Sequence, residues 1–243
     1  MTSTHSAGSA EEGGAKAGNM RSLSRALEVF AELQRAERPQ RLSDLARTCG
    51  MSLPTTLRIL RVLQDFGMVS QTDKSYRIGP AVLPAARSYL ENDPLVVASR
   101  PVLQQVASQT GLTASLYTRL GFERILVARV DGEAPLRYDL PLGKRLPLTV
   151  GAAGKILLAL ASAEELRARL PEAGADFSFS ADERATGVLS VAVAVPNRSG
   201  RPSESIALTS PVETATEPAL KAAVPELRRA AGRLSELLEG SVY

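Results

Sequence analysis

The stretch Leu42-Ser43-Asp44-Leu45-Ala46-Arg47-Thr48-Cys49-Gly50-Met51-Ser52-Leu53-Pro54-Thr55-Thr56-Leu57-Arg58-Ile59-Leu60-Arg61-Val62-Leu63 decides how this chain is read. It holds two helix starts separated by one glycine. Ser43 is the expected N-cap of a short helix closed by Gly50, because glycine accepts the left-handed conformation that ends helices. Ser52 is the expected N-cap of the next helix, with Pro54 in a first turn where a missing N–H costs nothing. This second helix is expected to reach Phe66 and stop at Gly67. At about 100° per residue, Thr56, Ile59, Leu60, Leu63 and Phe66 fall on one face and would pack inward. Pro54, Arg58, Arg61 and Asp65 line the other face.

On the N-terminal side, residues 1–19 are small and polar without hydrophobic period, which reads as a disordered tail. A helix is expected from Ser22, with Leu23, Ala26, Leu27, Phe30 and Leu33 on one face, broken at Arg38-Pro39-Gln40. On the C-terminal side, Met68-Val69-Ser70 and Ser75-Tyr76-Arg77-Ile78 flank Gln71-Thr72-Asp73-Lys74 and predict a hairpin. Helix, helix, tight turn, helix, hairpin is the order of a winged helix-turn-helix, here over residues 20–79. That segment carries ten Lys/Arg against six Asp/Glu, so it is net +4 while the whole chain is +3. The basic excess is therefore confined to one module, and double-stranded DNA is the expected partner.

Ser52, Leu53, Pro54, Thr55, Leu57 and Arg58 occupy the first turns of the second helix, the part of a recognition helix that meets base edges. Arg58 is suited to a bidentate contact with guanine, which discriminates by roughly 1–3 kcal/mol. Thr55 is expected at a phosphate and Leu57 at a thymine methyl. Arg61 extends the basic stripe, and Lys74 and Arg77 on the hairpin would sit against the DNA backbone. The competing reading is that these arginines simply solvate an exposed face. The hairpin, turn chemistry and charge asymmetry together favour DNA.

Beyond residue 79 the pattern changes. Pro80–Leu90 reads as a linker helix within a connecting segment 80–93, ended by Asn92-Asp93-Pro94. Leu95–Gln109 is helical, capped by Gly111. Thr113–Thr118, Arg124–Val130 and Leu136–Leu140 read as strands, and Gly151–Ala161 and Ala163–Leu170 as helices. Gly187–Val195 and Ser203–Thr209 pair around Asn197-Arg198-Ser199-Gly200-Arg201, and one helix is expected from Glu217 to Leu238. Helices beside a mostly antiparallel sheet make 94–243 an α+β domain. The single cysteine, Cys49, falls at helical spacing from Leu42, Leu45 and Ala46 and reads as a core thiol. The single histidine, His5, lies in the tail. No catalytic site, metal site or cofactor is expected from that inventory. No apolar run approaches a membrane span of about 20 residues, so a cytoplasmic protein is expected. Gly151-Ala152-Ala153-Gly154-Lys155 is not a phosphate loop, because Thr149 and Ile156 stand where that motif needs Gly and Ser/Thr.

The chain resembles the IclR-type bacterial transcriptional regulators. The resemblance is carried by Ser24–Phe30, Leu42–Ala46, Gly50-Met51, Arg58-Ile59-Leu60 and Tyr76–Gly79. It continues through Pro101–Leu103, Thr110–Thr113, Gly143–Leu148, Ala152–Ala159, Glu183–Gly187 and Ile206–Pro211. It implies a GAF-like effector and oligomerisation domain, a homodimer or homotetramer, and two recognition helices in successive major grooves about 34 Å apart. A dimer contact through Leu23, Leu27 or the linker helix is part of that implication. Repression is the expected direction of control, and no residue pattern encodes it. Carried over by position, the effector pocket would use the backbone N–H groups of Ala152 and Ala153 with Ser180, Ser190, Ala207 and Thr209. Its ligand would be a carboxylate or aromatic acid, matched to a helix N-terminus. The sequence departs from the family between Leu170 and Phe177, where Pro171–Asp176 replaces a helical segment. That departure leaves open a constitutive DNA-binding regulator whose second domain only oligomerises.

Overall fold

The structure is a computed structural model that describes residues 9–133, 140–160, 176–196 and 203–240. It divides into two compact units, Met1–Ser88 and Tyr89–Tyr243. The expected helix Ala163–Leu170, most of the expected strand Leu136–Leu140, the Asn197–Arg201 turn and nearly all of the shortened 170–177 segment lie outside the described residues.

The first unit contains α1 (Ser9–Arg35), β1 (Gln40–Arg41), α2 (Leu42–Thr48), α3 (Leu53–Asp65), β2 (Val69–Thr72) and β3 (Ser75–Ile78). Its core is Val29 and Leu33 from α1, Leu45 from α2, Leu60 from α3, and Val69 and Tyr76 from the hairpin. Four expectations are corrected here. The first helix begins at Ser9, ahead of the expected start at Ser22. Its buried face is set by Val29 and Leu33, while Leu23 and Leu27 are more than half exposed. The α2 helix starts at Leu42 after Arg41 with no side-chain cap, so Ser43 does not serve as one. Phe66 is 73% exposed, because it is the C-cap of α3 and lies past the last turn that packs inward.

Ser52 caps α3 as expected, its side chain accepting from the Thr55 N–H, with Pro54 in the first turn. Gly50, at φ +62°, supplies the tight corner between α2 and α3 that an L side chain resists. The hairpin has an unpredicted third strand: β1 pairs antiparallel with β3, setting Gln40 opposite Tyr76 and Arg41 opposite Ser75.

The unit boundary falls inside α4 (Val82–Asn92), which extends two residues beyond the expected helix. The second unit continues with α5 (Pro94–Thr110), β4 (Thr113–Leu120), β5 (Glu123–Val130), β6 (Arg145–Pro147) and α6 (Ala152–Ala159). Then come β7 (Ser178–Ala181), β8 (Val188–Ala194), β9 (Glu204–Pro211), α7 (Glu217–Ala222) and α8 (Val224–Gly240). Six strands form one antiparallel sheet in the order β6-β5-β4-β9-β8-β7. Strands β6 and β7 were not anticipated as strands. The single expected C-terminal helix is two, interrupted at Ala223, because Pro225 has no N–H to donate to the Lys221 carbonyl and its ring crowds that carbonyl.

Strand alternation gives the sheet two different faces. On one, Leu116, Val191, Val193, Ile206 and Leu208 join Val102, Leu103 and Val106 of α5 and Leu227, Ala230 and Leu234 of α8 in the main core. On the other, α6 lays Ile156 and Leu157 among Tyr117, Leu126, Ala192 and Ala207. The second face is rich in small and hydroxylated side chains, and it is where the expected effector residues fall.

Candidate functional site

In the first unit, Pro54, Arg58 and Arg61 on α3 and Lys74 and Arg77 on the hairpin are exposed. Leu53 is half exposed, and Thr55 and Leu57 are half-buried. Among the described residues none of Arg58, Arg61, Lys74 and Arg77 forms an ion pair. Arg47, by contrast, lies 2.9 Å from Asp44 one turn earlier on α2. The α3 cations thus keep their charge and hydrogen-bond donors available to phosphate and base edges. Thr55 Oγ1 lies 2.8 Å from Ser52 Oγ, so the expected phosphate donor is first a partner of the helix cap. Arg58 also borders a groove between α1 and α3 that Arg25, Leu23 and Val62 line.

Register adds one residue that sequence reading missed. Because Arg41 pairs with Ser75, it lies on the same sheet face as Arg77, two residues along β3. Arg41 is exposed and extends the cationic surface of the wing. A two-residue strand following Pro39 carries no period, which is why it could not be read. Cys49 is half-buried against the domain core, and its thiol is pushed above the ordinary range by burial first and then by Glu32 and Glu28.

In the second unit the expected effector residues come together. Ser180 pairs with Ser190, Ser190 with Thr209, and Thr209 with Thr113, forming one row across β7, β8, β9 and β4. Ala207, paired with Ala192 and Ser115, is in the next row of the same face. Ser180, Ser190, Ala207 and Thr209 were expected in the pocket, and Thr113, Ser115 and Ala192 are their cross-strand neighbours. Ala152 and Ala153 at the start of α6 are buried.

Two donors at the N-terminus of α6 are already engaged. Ala152 N–H donates to Ser180 Oγ at 3.1 Å, and Gly151 N–H donates to Glu183 Oε2 at 2.9 Å. Lys155 Nζ lies 2.5 Å from Glu183 Oε1. Ser205 Oγ donates to the Ala153 carbonyl at 3.3 Å. Gly154 explains the small-residue run: a Cβ there would collide with the Arg124 guanidinium and the Leu148 carbonyl. Arg124 itself is fully buried, donates to the Pro147 carbonyl and stacks over the Tyr117 ring, 5.3 Å from its centre. Arg184 donates to the Tyr117 hydroxyl at 2.8 Å. Glu183, Arg184, Tyr117 and Arg124 were not anticipated as members of this site.

A winged helix-turn-helix whose recognition-helix cations are unpaired among the described residues, followed by an α+β unit with a hydroxylated sheet face, defines a DNA-binding regulator with a separate second domain. Matches to known families agree with that class. The IclR helix-turn-helix domain matches residues 22–73, and the bacterial transcriptional regulator IclR C-terminal domain matches residues 87–177. The chain belongs to the IclR family of bacterial transcriptional regulators. It is 29% identical over 154 residues to the HTH-type transcriptional repressor AllR of Escherichia coli K12. That alignment covers 63% of this chain and 57% of AllR, so the chain spans just over half the length of the curated relatives it matches. Among solved structures, an IclR regulator of Silicibacter superposes with a TM-score of 0.77 at 24% identity, covering 91% of this chain and 98% of its own. An IclR homologue of Microbacterium hydrocarbonoxydans complexed with 4-hydroxybenzoate superposes at 0.65 and 18% identity, covering 90% of this chain and all of its own. The matched families and named relatives are transcriptional regulators, not enzymes. Among the described residues no helix is long and apolar enough to cross a membrane.

Proposed function

We propose that this protein is an operator-binding transcriptional repressor whose affinity for DNA is set by a small-molecule effector bound in the second unit. The observation that carries the DNA half is the Ser52-capped α3 helix presenting Arg58 and Arg61 exposed and without ion-pair partners among the described residues. In this reading α3 enters the major groove, Arg58 reads a base edge, and Arg41, Lys74 and Arg77 hold the backbone. The name of AllR supports repression. Two copies bind one operator, joined through the exposed apolar stripe Met20, Leu23 and Leu27 on α1. The effector lies on the Ser190–Thr209 face, and the 4-hydroxybenzoate complex of the Microbacterium homologue supports a small-molecule ligand without locating it.

Control requires that the ligand bind the DNA-competent and incompetent states unequally. Footprinting on the DNA flanking the protein's own gene, with and without candidate ligands, tests both halves. Protection of two half-sites that weakens on adding a ligand is the expected result. Protection that no ligand alters would leave the constitutive reading, which the occupied N–H groups of Gly151 and Ala152 favour.

A further inference from the structure

Beside the reading face of α3 runs a groove that neither Arg61 nor the wing borders. It lies between α1 and α3, encloses about 390 Å³, and is lined by residues of those two helices alone. Thr55, Ile59 and Val62 recur at intervals of four and three, so they form one stripe along α3 with Arg58 beside it. Ser22, Arg25 and Ala26 face that stripe from α1. Ala26, Ile59 and Leu63 are half-buried and make an apolar floor, while Leu23 and Val62, at 54% and 50% exposure, make its rim.

The charge of the groove is one-sided. Arg25 and Arg58 stand on it, both exposed, and neither forms an ion pair among the described residues. No Asp or Glu lines it, and Ser22 and Thr55 add hydroxyls. An apolar trough edged by guanidinium groups matches the two parts of a nucleic-acid strand. The sugar presents carbon-rich surface, and the phosphate beside it is an anion suited to the arginine fork. Arg58 belongs both to the groove and to the reading face, so a strand entering the groove is continuous with the bases that α3 meets. Leu23 lies where the groove adjoins the exposed apolar stripe of α1, and neither Met20 nor Leu27 lines the groove. The groove and the stripe assigned to dimer contact therefore use different sides of α1.

We propose that the α1–α3 groove holds the sugar–phosphate backbone of bound DNA, with Arg25 clamping one phosphate from α1. The proposal rests on the DNA-reading role of α3 and brings a second helix into the interface. Arg25 is a positioning residue: it neutralises the phosphate beside Arg58 and leaves the Arg58 fork for a base edge. It also fixes the register of α3 from an element that touches no base.

The test measures binding of the full-length chain to DNA flanking its own gene and to an unrelated duplex of equal length, by fluorescence anisotropy across a salt series. Arg25→Ala is expected to weaken both about tenfold. It should lower the slope of log affinity against log salt by about 1 and leave the ratio between the duplexes and the melting temperature unchanged. Arg25→Lys keeps the charge and should recover the slope. Arg25→Gln repeats the test where the alanine variant does not fold. Replacing phosphates singly by neutral methylphosphonates should find one position that weakens wild type and has no effect on Arg25→Ala. Val62→Glu places a carboxylate on the rim and should weaken both duplexes with the oligomeric state unchanged. An unchanged salt slope for Arg25→Ala overturns the proposal, as does a loss confined to the gene-flanking duplex, which would make Arg25 a base reader. A change of oligomeric state in Val62→Glu gives the groove to a second copy of the chain and also overturns it, as does wild type that binds neither duplex. If Arg58→Ala leaves sequence preference intact, the base-reading role of Arg58 falls while the Arg25 phosphate contact stands.

Discussion

Two helices of this molecule start in opposite ways. Helix α3 is capped from within its own first turn, by Ser52 on Thr55, and leaves its basic side chains outward and, among the described residues, unpaired. Helix α6 has no cap of its own: its first donors are taken by Ser180 and Glu183, which follow by 28 and 32 positions. The first helix is built to be available and the second to be held. Local capping frees the surface of α3 for an external partner, whereas remote capping ties α6 to the sheet.

The largest effect expected from breaking this contrast lies on the open side. Arg58→Ala removes a cation with no structural partner among the described residues, so the fold should survive while specific operator binding falls by about 10- to 100-fold. Gel-shift titration alongside a melting curve checks this, and an unchanged footprint would remove Arg58 from the reading face.

On the held side, Gly154→Ala should destabilise by about 1–3 kcal/mol, because the new methyl group meets the Leu148 carbonyl and Arg124. Gly232→Ala in α8 has open space at the same atom and should instead stabilise by roughly 0.5–1 kcal/mol. Denaturant unfolding of the two variants reads opposite signs from the same substitution. Equal signs would show that the α6 contact is not the tight one.

The two caps can be compared directly. Ser180→Ala strands a buried N–H and is expected to cost about 1–3 kcal/mol. Ser52→Ala exposes its N–H to water and should cost about 1 kcal/mol. Equal losses in chemical denaturation would mean that burial at α6 adds nothing. The smallest effect is Lys74→Ala, expected to weaken binding to all DNA sequences alike and to lower the slope of log affinity against log salt by about 1.

The same contrast explains what could be read from the chain. The α2–turn–α3 segment was legible because its signals are adjacent: Gly50, Ser52, Pro54 and the period of Thr56, Leu60 and Leu63 all act within one turn of their effect. Where a local rule failed, geometry at a helix end was responsible. Ser43 lost its expected role because the helix begins two residues earlier, with Arg41 at the N-cap, and Phe66 is exposed because it follows the last packed turn. The row Ser180–Ser190–Thr209 was located by family resemblance, and no spacing in the sequence marks it. Glu183 and Arg124 could not be found from the chain at all, since their roles exist only once β5, β7 and α6 are brought together. Strands β1, β6 and β7, with two, three and four residues, are too short to show a period of two.

Those short strands have a further consequence for solubility. Among the described residues the large sheet ends in β6 on one side and β7 on the other, and β6 is only Arg145–Pro147. An edge of three residues that contains a charge and a proline offers little backbone for another chain to pair with. The central strands β4 and β9, with eight residues each, are shielded from such pairing by their neighbours. Copies of this protein can therefore meet at the β6 edge through side-chain surfaces, with little backbone there to template further strands.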